Sequence, residues 1–443
     1  MKILKFGGTS VGSPVNMQAV AGLINDPDRK IVVLSAMSGT TNHLVKISAA
    51  LYKHNVAEAL TLIENLHTTY RQVISQLYST DKKKHEALDL VLAHFELVKS
   101  LAGGQFSIHE ERVILAQGEL LSTALFQFYL EEIGRESILL PALNFMRIDE
   151  NEEPDTKFIH KSLADTLAQY PHQDLFITQG YICRNAFGDI DNLKRGGSDY
   201  SASLIGAAVK ASEIQIWTDI NGMHNNDPRV VKNTFPVAEL SFDEAAELAY
   251  FGAKILHPSS VLPAKEKNIP VKLLNTMQPE AKGTTISAQS SGKSIKAVAA
   301  KDGIVAINVK SSRMLLAYGF LRRVFEVFEE YKTPIDMITT SEVAVSLTID
   351  NTKFLPEIIA ELKEFGSVEV DENQTIICLV GDSIEETPGT TKKIFDALKD
   401  IPLRMISYGG SKNNISILIR TDDKNRALVA LNEGVFERIP AHA

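Results

Sequence analysis

Short apolar runs recur through the first 290 or so residues, each cut off by small or polar residues. Ile3–Phe6 stops at Gly7-Gly8, and Ile31–Leu34 runs into Ser35-Ala36-Met37-Ser38-Gly39-Thr40-Thr41-Asn42. Leu175–Thr178, Ile214–Thr218 and Val271–Leu274 have the same form. Continuous apolar runs of this length suit strands buried on both faces, the environment of a mostly parallel sheet. Helical periodicity fills the gaps: Arg112–Ile133 repeats apolar residues on one face (Val113, Ala116, Leu120, Ala124, Phe128). Ser241-Phe242-Asp243-Glu244 has the form of a capping box opening another helix. Residues 44–100 read as a helical insertion to which no chemistry is assigned. Strands alternating with helices predict an α/β fold, a three-layer sandwich with helices on both faces of a mostly parallel sheet.

The pattern changes near residue 280, where Pro279, Gly283, Thr284-Thr285, Ser287 and Ser290-Ser291-Gly292 form a turn-rich link. Beyond this link the chain repeats itself. Gly319-Phe-Leu-Arg-Arg-Val-Phe325 returns as Gly389-Thr-Thr-Lys-Lys-Ile-Phe395 at an offset of 70, and Val345-Ser346-Leu347 as Ile415-Ser416-Ile417 at the same offset. Met337-Ile338 returns as Met405-Ile406 at an offset of 68. Such a repeat predicts two similar small α/β modules. The expected organisation is a domain over 1–290 and a second region over 297–443, with modules at about 310–371 and 372–443. Residues around Ala297–Val309 are candidates to pair with the last stretch, inserting the first module in the second.

The formal net charge is −9, which argues against a phosphate-backbone partner, since nucleic-acid binders carry a basic patch or stripe. Lys82-Lys83-Lys84 reads as a solvated loop or helix start. The two cysteines, Cys183 and Cys378, sit far apart in apolar runs and read as buried strand residues. The N-terminal apolar stretch is too short for a secretory signal, and no uninterrupted apolar run approaches a membrane span. A cytoplasmic protein is expected.

Ligands of open α/β sheets sit beyond the carboxyl ends of the strands. Four stretches there carry suitable chemistry. In Lys5-Phe6-Gly7-Gly8-Thr9-Ser10, paired glycines let backbone amides approach a phosphate and Lys5 supplies a cation. Ser35–Asn42 adds hydroxyls and a glycine turn. In Arg195-Gly196-Gly197-Ser198-Asp199-Tyr200-Ser201, an arginine fork suits a carboxylate and an aspartate suits an ammonium, so the pair fits a small zwitterion. Trp217-Thr218-Asp219 leads into Met223-His224-Asn225-Asn226-Asp227-Pro228-Arg229, a loop able to take a nucleotide's base and ribose and present Arg229 to phosphate. Lys254, in Phe251-Gly252-Ala253-Lys254, is a second cation. Phosphoryl transfer needs alignment and positive charge, and these turns meet that need in kind. The residue pattern alone supports a kinase-like site for a small molecule and goes no further.

Taken together, Lys5–Val11, Gly118-Glu119-Leu120, Arg195–Ser201, Trp217–Asp219, Asp227–Arg229 and Phe251–Pro258 resemble, in order, the motifs of the aspartate kinase family within the amino acid kinase superfamily. The repeated modules resemble that family's tandem regulatory ACT modules, each ferredoxin-like (βαββαβ). The resemblance implies transfer of the ATP γ-phosphoryl group to the side-chain carboxylate of L-aspartate, the entry to lysine, threonine and methionine synthesis. It implies Lys5 and Asp199 as catalytic, with Gly7, Gly8, Ser35, Thr41, Glu119, Arg195 and Ser198 around the substrate. Thr218, Asp219, His224, Arg229 and Lys254 would hold ATP, with Mg²⁺ bridging its phosphates and no separate metal site. His224 departs from the tyrosine of many relatives. No third region follows residue 443 in this sequence, so a fused dehydrogenase half is expected to be absent.

It also implies an amino-acid effector, lysine, bound between ACT modules of a homodimer or tetramer. The matching residues are Met314, Gly319, Phe320, Leu321, Ile335, Asp336, Thr340, Ser341 and Glu342, with Asp336 suited to an ammonium group. Leu316 stands where the family often has histidine. Two other readings stay open here: a kinase for glutamate or carbamate, and an inactive amino-acid sensor. Intact Lys5, Arg195 and Asp199 argue against the sensor.

Overall fold

The computed structural model describes residues 1–194, 196–252, 256–289, 292, 295–311 and 318–436. Arg195, Lys254 and Met314 therefore lie outside the described residues. The chain divides into two compact units. The first comprises Met1–Met223, Ala238–Phe242 and Leu256–Gln289; the second His224–Val237, Asp243–Ile255 and Ser290–Ala443.

The first unit holds β1 (Lys2–Phe6), β2 (Lys30–Leu34), β3 (Ile138–Leu140), β4 (Leu175–Gln179), β5 (Ile182–Arg184) and β6 (Ile190–Asn192). It continues with β7 (Glu213–Thr218), β8 (Glu239–Ser241), β9 (Val271–Asn275) and β10 (Thr284–Ser287). Eight of these form one sheet in the order β3-β4-β2-β1-β7-β9-β10-β8, and β5 pairs with β6 as a hairpin. All neighbours in the large sheet are parallel except β9 and β10. β1, β2, β4 and their apolar side chains are buried almost throughout, as continuous apolar runs require. Phe6 lies level with Leu34 on one side and Trp217 on the other, and Leu34 level with Gln179. The turns after β1, β2, β4 and β7 thus emerge side by side. The chain moves from β1 to β2 on one side and returns to β7 on the other, which makes β1 the switch point where such sheets bind ligands.

Helices α1 (Pro14–Leu23), α2 (Thr40–Tyr52), α3 (Val56–Leu77), α4 (Asp81–Leu101) and α5 (Ile108–Glu132) come first along the chain. Next are α6 (Thr156–Ala168), α7 (Gly197–Val209), α8 (Phe242–Tyr250) and α9 (Leu262–Glu266). The insertion over 44–100 is helical. Its buried faces pack Ile63, Tyr70, Val91 and Phe95 with Leu125 and Phe126 of α5 into the core of the unit. Lys83 stands in the first turn of α4, where it pairs with Glu86 and Glu131. α5 is long and apolar enough to cross a membrane, but most of it is buried inside this unit, as in a core helix. Cys183 on β5 is buried.

The second unit is built on two long antiparallel strands, β11 (Ile295–Lys310) and β14 (Ser367–Gly381). β12 (Met337–Thr340), β13 (Ala344–Ile349), β15 (Met405–Tyr408) and β16 (Asn414–Arg420) complete a sheet of order β12-β13-β11-β14-β16-β15. Helices α10 (Phe320–Glu330), α11 (Leu355–Leu362), α12 (Thr390–Ala397) and α13 (Lys424–Val435) cover it. β11 breaks register with β14 between Lys301 and Ala306. Residues 305–310 pair with β13 and with the first half of β14, whereas 295–301 face the half of β14 that pairs with β16. The two halves bury separate cores, one around Ile307, Val324, Leu347 and Ile358, the other around Ile377, Ile394, Ile417 and Leu428. Gly319 and Gly389, partners in the repeat, cap α10 and α12 with φ of +82° and +83°. Cys378 is buried on β14.

Two segments from earlier in the chain complete this unit. In 224–237, the Asn226 side-chain amide donates to the Leu428 carbonyl, the Asn225 amide donates to Asn432 Oδ1, and the Val298 amide donates to the Asn225 carbonyl. Along α8, Glu244 pairs with Lys296, Glu247 accepts from Asn414, and Tyr250 donates to Asp336. Those three residues are spaced by three, so one face of the helix carries these three anchors.

Candidate active site

A cleft of about 660 Å³ opens in the first unit. Its wall includes Lys5, Gly7, Gly8, Ser35, Thr41, Glu119, Ser198, Asp199 and Thr218. These come from the ends of β1 and β7, from the turns after β1 and β2, from the starts of α2 and α7 and from the middle of α5. Asp219 adjoins them and accepts a hydrogen bond from the Thr218 hydroxyl at 3.1 Å.

Close packing explains the glycines. A Cβ on Gly118 would stand 2.8 Å from the Ala36 methyl, so glycine lets α5 touch the turn after β2. The next residue, Glu119, thereby reaches the Ala36 amide, which donates to its Oε1 at 3.2 Å. Ser122 Oγ donates to the Ser35 carbonyl at 2.8 Å and fixes the same turn. A Cβ on Gly8 would stand 2.9 Å from the Ala36 carbonyl, so the turns after β1 and β2 also need this approach.

Helix starts provide the anion-binding chemistry. α1, α3, α4, α5 and α6 each have a side chain capping the first turn. α2 and α7 do not: each begins at a left-handed glycine, Gly39 or Gly196, with no side-chain cap. Gly39 and Gly196 both line the cleft. Without a side-chain cap among the described residues, these positive helix ends suit an anionic ligand.

Lys5 Nζ meets Asp199 Oδ1 at 2.7 Å, with both side chains close to nine-tenths buried. Glu119 is buried, and its Oε2 has no hydrogen-bond partner among the described residues. Burial pushes its carboxyl up to about 8, against the opposing pull of the Ala36 amide and Lys5. The cleft thus holds the close Lys5–Asp199 pair beside a buried carboxyl whose proton burial favours.

Tyr181 and Lys194 also line the cleft, and neither was legible as a site residue. Both hold left-handed backbone, at φ of +64° and +59°. The Tyr181 amide donates to Ser201 Oγ and the Leu193 amide to the Tyr181 carbonyl. Tyr181 follows β4 as Gly8 follows β1, so the strand-end rule applied to Gly180-Tyr181 is the signal that could have found it.

His224 and Arg229 belong to the second unit. His224 Nδ1 lies 2.9 Å from the Thr234 hydroxyl, and burial lowers its tendency to take a proton. Arg229 is exposed and pairs with Asp227 at 2.7 Å. Of the effector candidates, Gly319 caps α10, Phe320 is buried and Leu321 is exposed. Ile335 and Asp336 precede β12, Thr340 ends it, and Ser341 and Glu342 form the exposed turn into β13.

A mostly parallel sheet with uncapped helix starts around a buried lysine, together with a doubled α/β module, has the form of an amino acid kinase with ACT modules. Residues 1–275 match the amino acid kinase family and residues 377–435 an ACT domain. The lysine-sensitive aspartokinase 3 of Escherichia coli (strain K12) is 32% identical over 448 residues, covering 98% of this chain and 99% of that one. Aspartokinase 3, chloroplastic, of Arabidopsis thaliana is 34% identical over 466 residues, covering 98% and 81%. The crystal structure of E. coli aspartokinase III in complex with aspartate and ADP (R-state) matches with a TM-score of 0.85 at 32% identity, over 99% of this chain and 100% of that one. The complex of that enzyme with lysine and aspartate (T-state) matches with a TM-score of 0.80 at the same identity and coverage. The chain belongs to the aspartokinase family, kinases whose phosphoryl acceptor is a carboxylate.

Proposed function

We propose that the protein transfers the γ-phosphoryl group of ATP to the side-chain carboxylate of L-aspartate, giving 4-phospho-L-aspartate at the head of lysine, threonine and methionine synthesis. The observation that carries this is the cleft: Lys5 paired with Asp199, and a Glu119 oxygen without a partner among the described residues, between two helix starts that lack a side-chain cap. Lys5 offsets charge on the transferred group and on the acceptor carboxylate. Arg195 grips the α-carboxylate. Glu119 and Asp199 orient the substrate through its ammonium, and Ser35, Thr41 and Ser198 add hydrogen bonds, with Gly7 and Gly8 admitting the backbone. Thr218 and Asp219 serve the nucleotide, joined by His224, Arg229 and Lys254.

The cleft wall offers hydroxyl and carboxylate oxygens, the hard donors that Mg²⁺ takes; most of its shell would come from phosphates and water. When bound, Mg²⁺ neutralises phosphate charge. Proximity does the rest, since donor and acceptor held in line need little covalent help.

The same reading assigns lysine as effector, bound at the ACT module containing Asp336, and a homodimer or tetramer formed through these modules in the cytoplasm. Tyr318, Leu321 and Phe325 at α10 and Val343 in the turn before β13 are exposed apolar residues, which suits a second copy as their cover. Trapping the product with hydroxylamine tests the reaction. An aspartyl hydroxamate formed with L-aspartate and absent with L-glutamate is expected; the reverse preference contradicts the proposal.

A further inference from the structure

Asp336, just ahead of β12, has a side chain only 1% exposed. Its Oδ1 accepts from the Tyr250 hydroxyl at 2.7 Å and from Lys301 Nζ at 2.8 Å. Its Oδ2 has no hydrogen-bond partner among the described residues. Lys301 Nζ also meets Asp350 Oδ2 at 2.9 Å and lies 4.3 Å from the centroid of the Tyr250 ring. An ammonium held by two carboxylates over an aromatic face is the chemistry by which proteins recognise a free amine. Here the chain's own lysine fills that place. Burial works against its charge, and the two carboxylates outweigh burial, so Lys301 remains an ammonium.

We propose that Lys301 is the resident occupant of the ammonium subsite at Asp336, and that an amine effector gains Asp336 by displacing Lys301 onto Asp350. The inference rests on the reading of Asp336 as an effector residue. The exchange strands no charge: Asp350 is 40% exposed and already holds Lys301, so each ion keeps a partner throughout. Oδ2, without a partner among the described residues, gives the incoming ammonium a first foothold before the exchange.

Displacement also reaches α8. Tyr250 ends that helix and bonds the same Asp336 oxygen as Lys301. Two residues on, Gly252 has φ of +119°, and a Cβ there would stand 2.2 Å from the carbonyl oxygen of Ala300, the neighbour of Lys301 on β11. The segment 250–252 is therefore clamped to β11 at the point where Lys301 leaves it. In sequence that segment runs directly into Lys254, the lysine assigned to the nucleotide. Effector binding at Asp336 thus loosens Tyr250 through a change of lysine partner.

The test is inhibition of the full chain's kinase activity across a lysine titration, with lysine binding measured by calorimetry, for wild type, Lys301→Met and Asp350→Asn. Removing the resident ammonium in Lys301→Met lowers the inhibitory lysine concentration about tenfold, within the usual span of a coupling between sites. Removing its second partner in Asp350→Asn raises that concentration about tenfold. The KM values for aspartate and ATP without lysine stay unchanged. Equal inhibition of all three proteins overturns the proposal, and if Lys301→Met does not fold, equal inhibition of wild type and Asp350→Asn does so. A wild type that neither binds nor responds to lysine instead defeats lysine as the natural effector. In that case lysine binding by Lys301→Met supports the resident-lysine proposal, and no binding by it overturns that too.

Discussion

Glu119 sits in the cleft with one carboxylate oxygen on the Ala36 amide and the other without a partner among the described residues, and burial pushes its carboxyl up to about 8. Below that pH the free enzyme holds the proton, and a substrate ammonium must expel it. The KM for aspartate is therefore expected to fall as pH rises from 6 to about 8 and then level off, with about one proton released per aspartate bound at neutral pH. Calorimetry in two buffers of different ionisation enthalpy checks the proton count, and Glu119→Gln should flatten the KM profile. The stability sign is the opposite. Because the folded carboxyl prefers its proton, its contribution is full below its ordinary value near 4.5 and is lost as pH rises through about 8. Lys5, Ser35, Thr41, Ser198, Asp199 and Thr218 were legible because a residue ending a strand or starting a helix announces its place in sequence. Tyr181 follows a strand end too, and only the strand-end rule could have marked it; Lys194 was not legible, because its left-handed backbone leaves no mark on residue type.

At the scale of elements, α5 governs the acceptor side of the cleft, and Gly118 sets its distance from the turn after β2. Gly118→Ala drives a methyl into Ala36, with Thr40 and Leu44 also close, and a methyl has no rotamer that relieves the clash. Overpacking of this kind costs about 1–3 kcal/mol. The expected outcome is a lowered melting temperature together with a raised KM for aspartate, read by thermal unfolding and steady-state kinetics; unchanged aspartate kinetics would show that Glu119 does not depend on this contact. Strand and helix order was readable from apolar runs and periodicity, because burial on two faces and on one stripe write different patterns. Periodicity in the sequence starts α5 at Arg112, but the helix begins at Ile108, after a capping box of Ser107 and Glu110. Harder to read were β11 and β14, since a repeat of offset 70 suggests separate modules while each long strand serves both halves of one sheet.

For the molecule as a whole, the second unit incorporates two stretches that precede the turn-rich link, 224–237 and 243–255. Composition shifts mark where a linker lies, not where an earlier loop is held, so Asn225 and Asn226 looked like turn residues. Their amides are in fact spent on α13. Asn432→Ala removes their side-chain acceptor and loosens the loop that carries Arg229. The KM for ATP is expected to rise about five- to tenfold, the equivalent of about 1–1.4 kcal/mol, with the KM for aspartate unchanged. An unchanged ATP KM would separate this loop from nucleotide binding. The central claim is that the cleft around Lys5 and Asp199 performs phosphoryl transfer to aspartate. ADP release from Mg-ATP by purified wild type and Lys5→Ala, with and without L-aspartate, tests it most directly. Wild type should release ADP only with aspartate, and a folded Lys5→Ala protein should lose about 10³–10⁵-fold, the scale of a cation positioned on a transferring phosphoryl group. Near-normal release by folded Lys5→Ala, or release by wild type that ignores aspartate, would contradict it.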